Sequence, residues 1–129
     1  MNYVVVGPDP LVTEDLADIV LQCDSEASVE VIPTLKSLES MPEAEVDSVF
    51  VFVGVSAQRI ASSSAICRQL NRAIRVMYVG DAFEAPPEQC SEWMFVPAPF
   101  TTESISTALR VVNSAWLALR PAFRAGKPA

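Results

Sequence analysis

The chain has 129 residues, half of them apolar and only 19% charged, and its formal net charge is −7. That length suits one compact domain. The composition excludes a disordered chain, which needs low hydrophobicity and high net charge. The absence of histidine removes His-based acid–base chemistry and His-ligated metals.

Strand-like and helix-like periodicities alternate along the chain. Tyr3 to Val6 is a continuous β-branched run, as expected of a strand buried on both faces. Gly7-Pro8-Asp9-Pro10 follows, with Asp9 a good N-cap and Pro10 suited to a first helical position. Val12, Leu16, Ile19, Val20 and Cys23 recur at helical spacing and predict a first helix to about Cys23, with its cysteine inward. Ser28 to Ile32 alternates, with Val29 and Val31 on one side, and predicts an edge strand. Pro33-Thr34 opens a short helix that ends before Pro42.

Val46 to Val55 is the strongest strand and is expected at the centre. Ser56 opens a helix to about Ala73, with Ile60, Cys67 and Leu70 inward and a weak spot at Ser62-Ser63-Ser64. Ile74 to Val79 is the next strand, ended by Gly80-Asp81. Ala82 to Ser91 contains Pro86-Pro87 and is expected to be mostly irregular. Trp93 to Val96 is the fifth strand, and Thr101 or Thr102 caps a last helix. Ile105, Ala108, Leu109, Val112, Trp116 and Leu119 form its apolar stripe, and Pro121 ends it. The expected division is a domain over residues 1–120 and a tail over 121–129. Alternating strands and helices imply a parallel sheet with helices on both faces.

No apolar run reaches the roughly 18 residues of a membrane span. Met1-Asn2-Tyr3 carries no basic n-region, so a cytoplasmic location is expected. All sixteen acids lie at or before Glu103, so residues 1–103 carry −11 and residues 104–129 carry +4. An acidic body repels phosphate backbones, so no nucleic-acid partner is expected. Cys23, Cys67 and Cys90 stand in no CxxC spacing, which disfavours a disulfide framework or a zinc site. Cys90, in a loop, is the one candidate reactive thiol, and no base partner can be named for it.

In an open parallel sheet, ligands sit at the carboxyl ends of the strands. Here those ends are Gly7–Asp9, Phe52–Val55, Gly80–Asp81 and Ala98–Pro99. A phosphate cradle needs a Gly-rich turn with free N–H groups, and the first turn has one glycine and two prolines. No cofactor is expected.

The start VVVGPDPLVTEDLADIV, the third strand VDSVFVFVGV and the ending FVPAPFTTESI resemble a response-regulator receiver domain over about residues 2–119. The resemblance implies a three-layer, doubly wound, flavodoxin-like (βα)5 fold. Its parallel sheet would have the order 2-1-3-4-5; the Pro86-Pro87 segment leaves the helix between the fourth and fifth strands short or missing. It also implies five functional positions: an acidic pair after the first strand, a phosphorylated Asp ending the third, a Thr or Ser ending the fourth and a Lys before Pro-Phe. Matching Pro10-Leu11, Val53-Gly54-Val55 and Pro99-Phe100-Thr101 puts those positions on Gly7 and Pro8, Phe52, Gly80 and Ala98. Asp9 is the polar residue that follows the pair, and Phe95 stands at the switch-aromatic position.

The framework is therefore expected and the chemistry is not. Phosphoryl transfer of this type needs a carboxylate nucleophile, a carboxylate-held divalent metal and a cation on the phosphoryl oxygens. Asp9 and Asp81 are the acids left nearby; they read as an N-cap and a turn residue, or as a residual weak metal site. Phe52 is expected to plug the vacated space, with roughly 1.5–3 kcal/mol from burial of the ring, and to hold one conformation.

The expected function is a non-enzymatic pseudo-receiver that signals through a protein partner or as a homodimer, with no membrane association. Receivers commonly pair through the fourth helix, fifth strand and fifth helix. Trp93, Trp116, Leu117, Arg120 and Phe123 are the candidate contacts here. Trp116 also reads as core, and the Arg120–Arg124 segment as frayed and idle. The alternative is a flavodoxin-like protein that binds a small molecule or cofactor in the vacated pocket; an enzyme using Cys90 is a third reading.

Overall fold

The computed structural model describes residues 2–41, 48–72, 75–80 and 93–125, with 71–72 and 114–125 as backbone only. The elements in chain order are β1 (Asn2–Val6), α1 (Pro10–Cys23), β2 (Ser28–Ile32), α2 (Leu35–Glu39), β3 (Ser48–Val53), α3 (Ala57–Ser62), α4 (Ser64–Arg72), β4 (Arg75–Gly80), β5 (Met94–Pro97) and α5 (Thr102–Ala125). All strand pairs are parallel, in the order β2-β1-β3-β4-β5. This is the doubly wound order expected. The segment expected to hold a short or missing helix, with Cys90, lies outside the described residues.

Side-chain alternation along buried strands builds two cores. Tyr3, Val5, Val49, Val51, Val53, Met77 and Val79 face α1 and α5, where Leu16, Ile19, Val20, Ile105, Leu109 and Val112 meet them. Val4, Val6, Phe50, Phe52, Val76 and Tyr78 face the other way, onto Leu38, Ile60 and Ile66 of α2, α3 and α4. All six residues of β3 are buried, so it is the central strand the sequence predicts. No helix among the described residues is long and apolar enough to cross a membrane.

Local signals set the helix starts. The Asp9 side chain accepts from the Leu11 N–H at 3.0 Å, and Pro10 opens α1. Thr101 caps α5: its Oγ1 accepts from Ser104 N at 3.0 Å, and Ser104 Oγ accepts from Thr101 N at 2.8 Å. This reciprocal pair is a capping box with serine in place of glutamate.

Several expectations are corrected. The helix predicted over 56–73 is two helices, broken at Ser63, whose backbone is extended at φ −91° and ψ 112°. The Ser63 hydroxyl accepts from Ile66 N at 3.3 Å and donates to Glu39 Oε1 at 2.7 Å, so it caps α4 and ties it to α2. Cys23 is exposed, because α1's apolar stripe reaches the rim of the domain at the helix's last residue; its Sγ lies 3.3 Å from Ser106 Oγ. Cys67 is half-buried and its thiol points to the Ile60 and Ala61 carbonyls. Val31 is 42% exposed, in keeping with the edge position expected of β2. Pro121 does not end α5, which continues to Ala125; proline removes one intrahelical hydrogen bond, but its fixed φ is helical.

Candidate functional site

The strand ends, where the sequence places the site, enclose a cavity of about 640 Å³. Pro8 and Asp9 form its wall after β1, Val53 to Ser56 after β3, Tyr78 to Gly80 on β4, and Ala98 to Phe100 after β5. Val12 reaches in from the first turn of α1. Four of the six expected pocket residues thus line the cavity: Pro8, Asp9, Gly80 and Ala98. Gly7 and Phe52 do not.

Backbone turns shape this rim. Gly54 has φ +69°, a left-handed conformation that glycine adopts without penalty, and it turns the chain from β3 toward α3. Ala98 N donates to Gly80 O at 2.7 Å, which holds the chain after β5 against the end of β4. The Ala98–Pro99 peptide bond is cis. Gly7 N donates to Ile32 O at 3.1 Å, tying the end of β1 to β2.

Two glycines stand at the strand ends, Gly7 and Gly80, and neither position has room for a side chain. A Cβ at Gly7 would lie 2.6 Å from the Val53 carbonyl oxygen and 2.8 Å from Val53 Cγ1. A Cβ at Gly80 would lie 2.6 Å from the Tyr78 ring. Tyr78 is the residue the sequence reading overlooks. It is buried, lies two positions before Gly80 on the same face of β4, and donates its hydroxyl to Val55 O at 2.7 Å. Its ring therefore lies over the glycine and its hydroxyl pins the loop after β3. The signal was a tyrosine at i−2 from a strand-end glycine, since residues i and i+2 share a face.

Phe52 is fully buried but does not plug the cavity. Strand alternation aims its ring away from α1 and α5, into the core beside α3 and α4. There it belongs to a continuous row of rings. Phe50 and Phe52 have centroids 6.2 Å apart, Phe52 and Trp93 6.0 Å, Trp93 and Tyr78 6.0 Å, and Tyr78 and Phe95 6.1 Å. Such separations suit offset aromatic pairing. Trp93, expected to open β5, sits just before it, half-buried in this row with Phe95. The backbone of α5 carries Trp116, Leu117, Arg120 and Phe123, whose side chains lie outside the described residues.

The cavity's chemistry is sparse. Among the described residues Asp9 is its one carboxylate and no lysine or arginine lines it; Asp81, the other acid expected nearby, lies outside the described residues. Among the described residues no three of Cys, Asp and Glu come together in a way that would hold a metal ion. The divalent metal that receivers use does not fit this set, because Gly7 and Pro8 supply no carboxylate and the Gly7 position is closed by the Val53 backbone.

No protein-family model matches the chain, and no curated protein matches it. Among solved structures, a response regulator from Colwellia psychrerythraea has a similar fold, with a TM-score of 0.60 at 11% identity. The likeness covers 88% of this chain and 97% of that one. Strand order and this likeness together give the chain a receiver-like, doubly wound α/β fold.

Proposed function

We propose that the chain is a pseudo-receiver: a non-enzymatic signalling module that works through protein contacts and takes no phosphoryl group at the usual site. The observation that carries this reading is the set of residues at the strand ends. Phe52 holds the acceptor position with its ring turned into the core, and Ala98 holds the lysine position with no cation to offer. Gly7 and Gly80 hold positions with no space for a side chain. Among the described residues these positions supply no carboxylate nucleophile, no acidic pair for a metal and no charge-stabilising cation, and each is needed for the transfer.

The aromatic row supports a single conformation. Phe95, at the switch-aromatic position, stacks on Tyr78, whose hydroxyl is bonded to the loop after β3. A ring that changed position would break this stacking. Output then runs through surfaces, with the α5 residues Trp116, Leu117, Arg120 and Phe123, and the half-buried Trp93, as the proposed contacts for a protein partner or a second copy.

Incubation of the chain with acetyl phosphate and magnesium tests the reading. The intact mass is expected to stay unchanged while an active receiver treated in parallel gains a phosphoryl group. A phosphoryl adduct mapped to any aspartate overturns it.

A further inference from the structure

We propose that the cavity at the strand ends is a binding site for a small organic cation with an apolar body, such as an arylalkyl ammonium, and that it rejects anions. The inference does not depend on whether the chain signals as a pseudo-receiver. At about 640 Å³ the cavity falls in the size range of small-molecule sites. Its inner surface is largely apolar: Val12, Val53 and Val79 come from three different elements, and Pro8, Pro99 and Phe100 close the sides.

The polar groups decide the sign of the ligand's charge. An anion would need free N–H donors or cationic side chains. Among the described residues no lysine or arginine lines the cavity, and the two lining prolines have no N–H. Two helix starts reach the cavity and would draw an anion: that of the short α3, whose N-cap Ser56 oxygen already accepts from Arg59 N, and that of α1. Helix α1 opens on Pro10, and the carboxylate of its N-cap, Asp9, already accepts from Leu11 N. The backbone carbonyls of Asp9, Val55, Ser56 and Gly80 are each hydrogen-bonded within the chain. Among the described residues that leaves the Asp9 carboxylate as the charged group at the mouth. A carboxylate accepts at about four lone-pair sites, so one bond to Leu11 N leaves room for an ammonium. One half-buried lining residue, Phe100, is aromatic, and aromatic faces attract cations. The chain's net charge of −7 favours encounter with a cation over an anion.

Three isosteric probes separate the contributions: benzylammonium, benzyl alcohol and benzoate, titrated into the intact chain with amide NMR as the readout. Benzylammonium is expected to shift Val12, Val53 to Ser56 and Gly80 saturably, benzyl alcohol to shift the same amides more weakly, and benzoate to leave them in place. Asp9→Asn keeps a good N-cap and removes the charge. Asp9 is exposed, so the loss in benzylammonium affinity is expected to be about two- to fivefold, with benzyl alcohol unaffected. Ala98→Leu, at an exposed lining position, adds bulk to the cavity and is expected to weaken both. Equal binding of benzoate, shifts centred elsewhere, no shift with benzylammonium, or an unchanged affinity in Asp9→Asn overturns the proposal.

Discussion

At Gly7 and Gly80 the strand ends come close to Val53 and Tyr78, and the contacts leave no room for a Cβ. Placing a carboxylate or a hydroxyl at the strand ends therefore requires neighbouring groups to move. At Phe52 the obstacle is burial. It is fully buried among Phe50, Trp93 and the side chains of α3 and α4. Phe52→Asp replaces a packed ring with a carboxylate that has no lysine or metal nearby. The expected loss is roughly 3–5 kcal/mol, read as a lower urea midpoint, with no gain of magnesium affinity. A variant that melts like the parent and binds magnesium would contradict this placement. The position of Phe52 on the third strand is legible in the sequence, because Gly54 and the flanking valines fix the register. The direction of its ring is not, because that depends on which face of β3 the alternation assigns to α3 and α4.

The strands are legible as elements, because a run such as Val49 to Val53 is apolar at every position, and such a run is expected in a strand covered on both faces. The helices are less so. Ile60, Cys67 and Leu70 keep a helical spacing across Ser63, so the periodicity reads as one helix. The break is set instead by a hydroxyl. Ser63 caps α4 through Ile66 N and reaches Glu39 on α2, a contact that becomes visible only when α2 and α4 are side by side. Ser63→Ala is expected to cost about 1 kcal/mol, measured as a shift in the urea midpoint. Glu39→Gln is expected to cost less, because it keeps an acceptor for the hydroxyl. A Ser63→Ala variant as stable as the parent would mean that the break does not depend on the cap. The end of α5 is a similar case: Pro121 reads as a stop, yet a fixed helical φ allows the last residues to Ala125 to follow.

Over the whole molecule the charge is segregated, with −11 on residues 1–103 and +4 on residues 104–129. Residues 121–129 hold two of the four cations of that second stretch, Arg124 and Lys127, and helix ends fray readily. Deleting residues 121–129 is therefore expected to leave the melting temperature nearly unchanged while weakening self-association or partner binding in sedimentation. The remaining binding is expected to fall only modestly with salt, because exposed charges are already screened near 0.15 M. Unchanged association after the deletion would move the contact to another surface. The central claim concerns the strand ends, and a phosphoryl mimic addresses it without waiting for a covalent product. Magnesium with beryllium fluoride, titrated into the intact chain and followed by amide NMR, is expected to leave Gly7, Asp9, Phe52 to Gly54, Gly80 and Ala98 unshifted. Saturable shifts at those amides would contradict the account, because they would require the metal and phosphoryl site that these residues are proposed to lack.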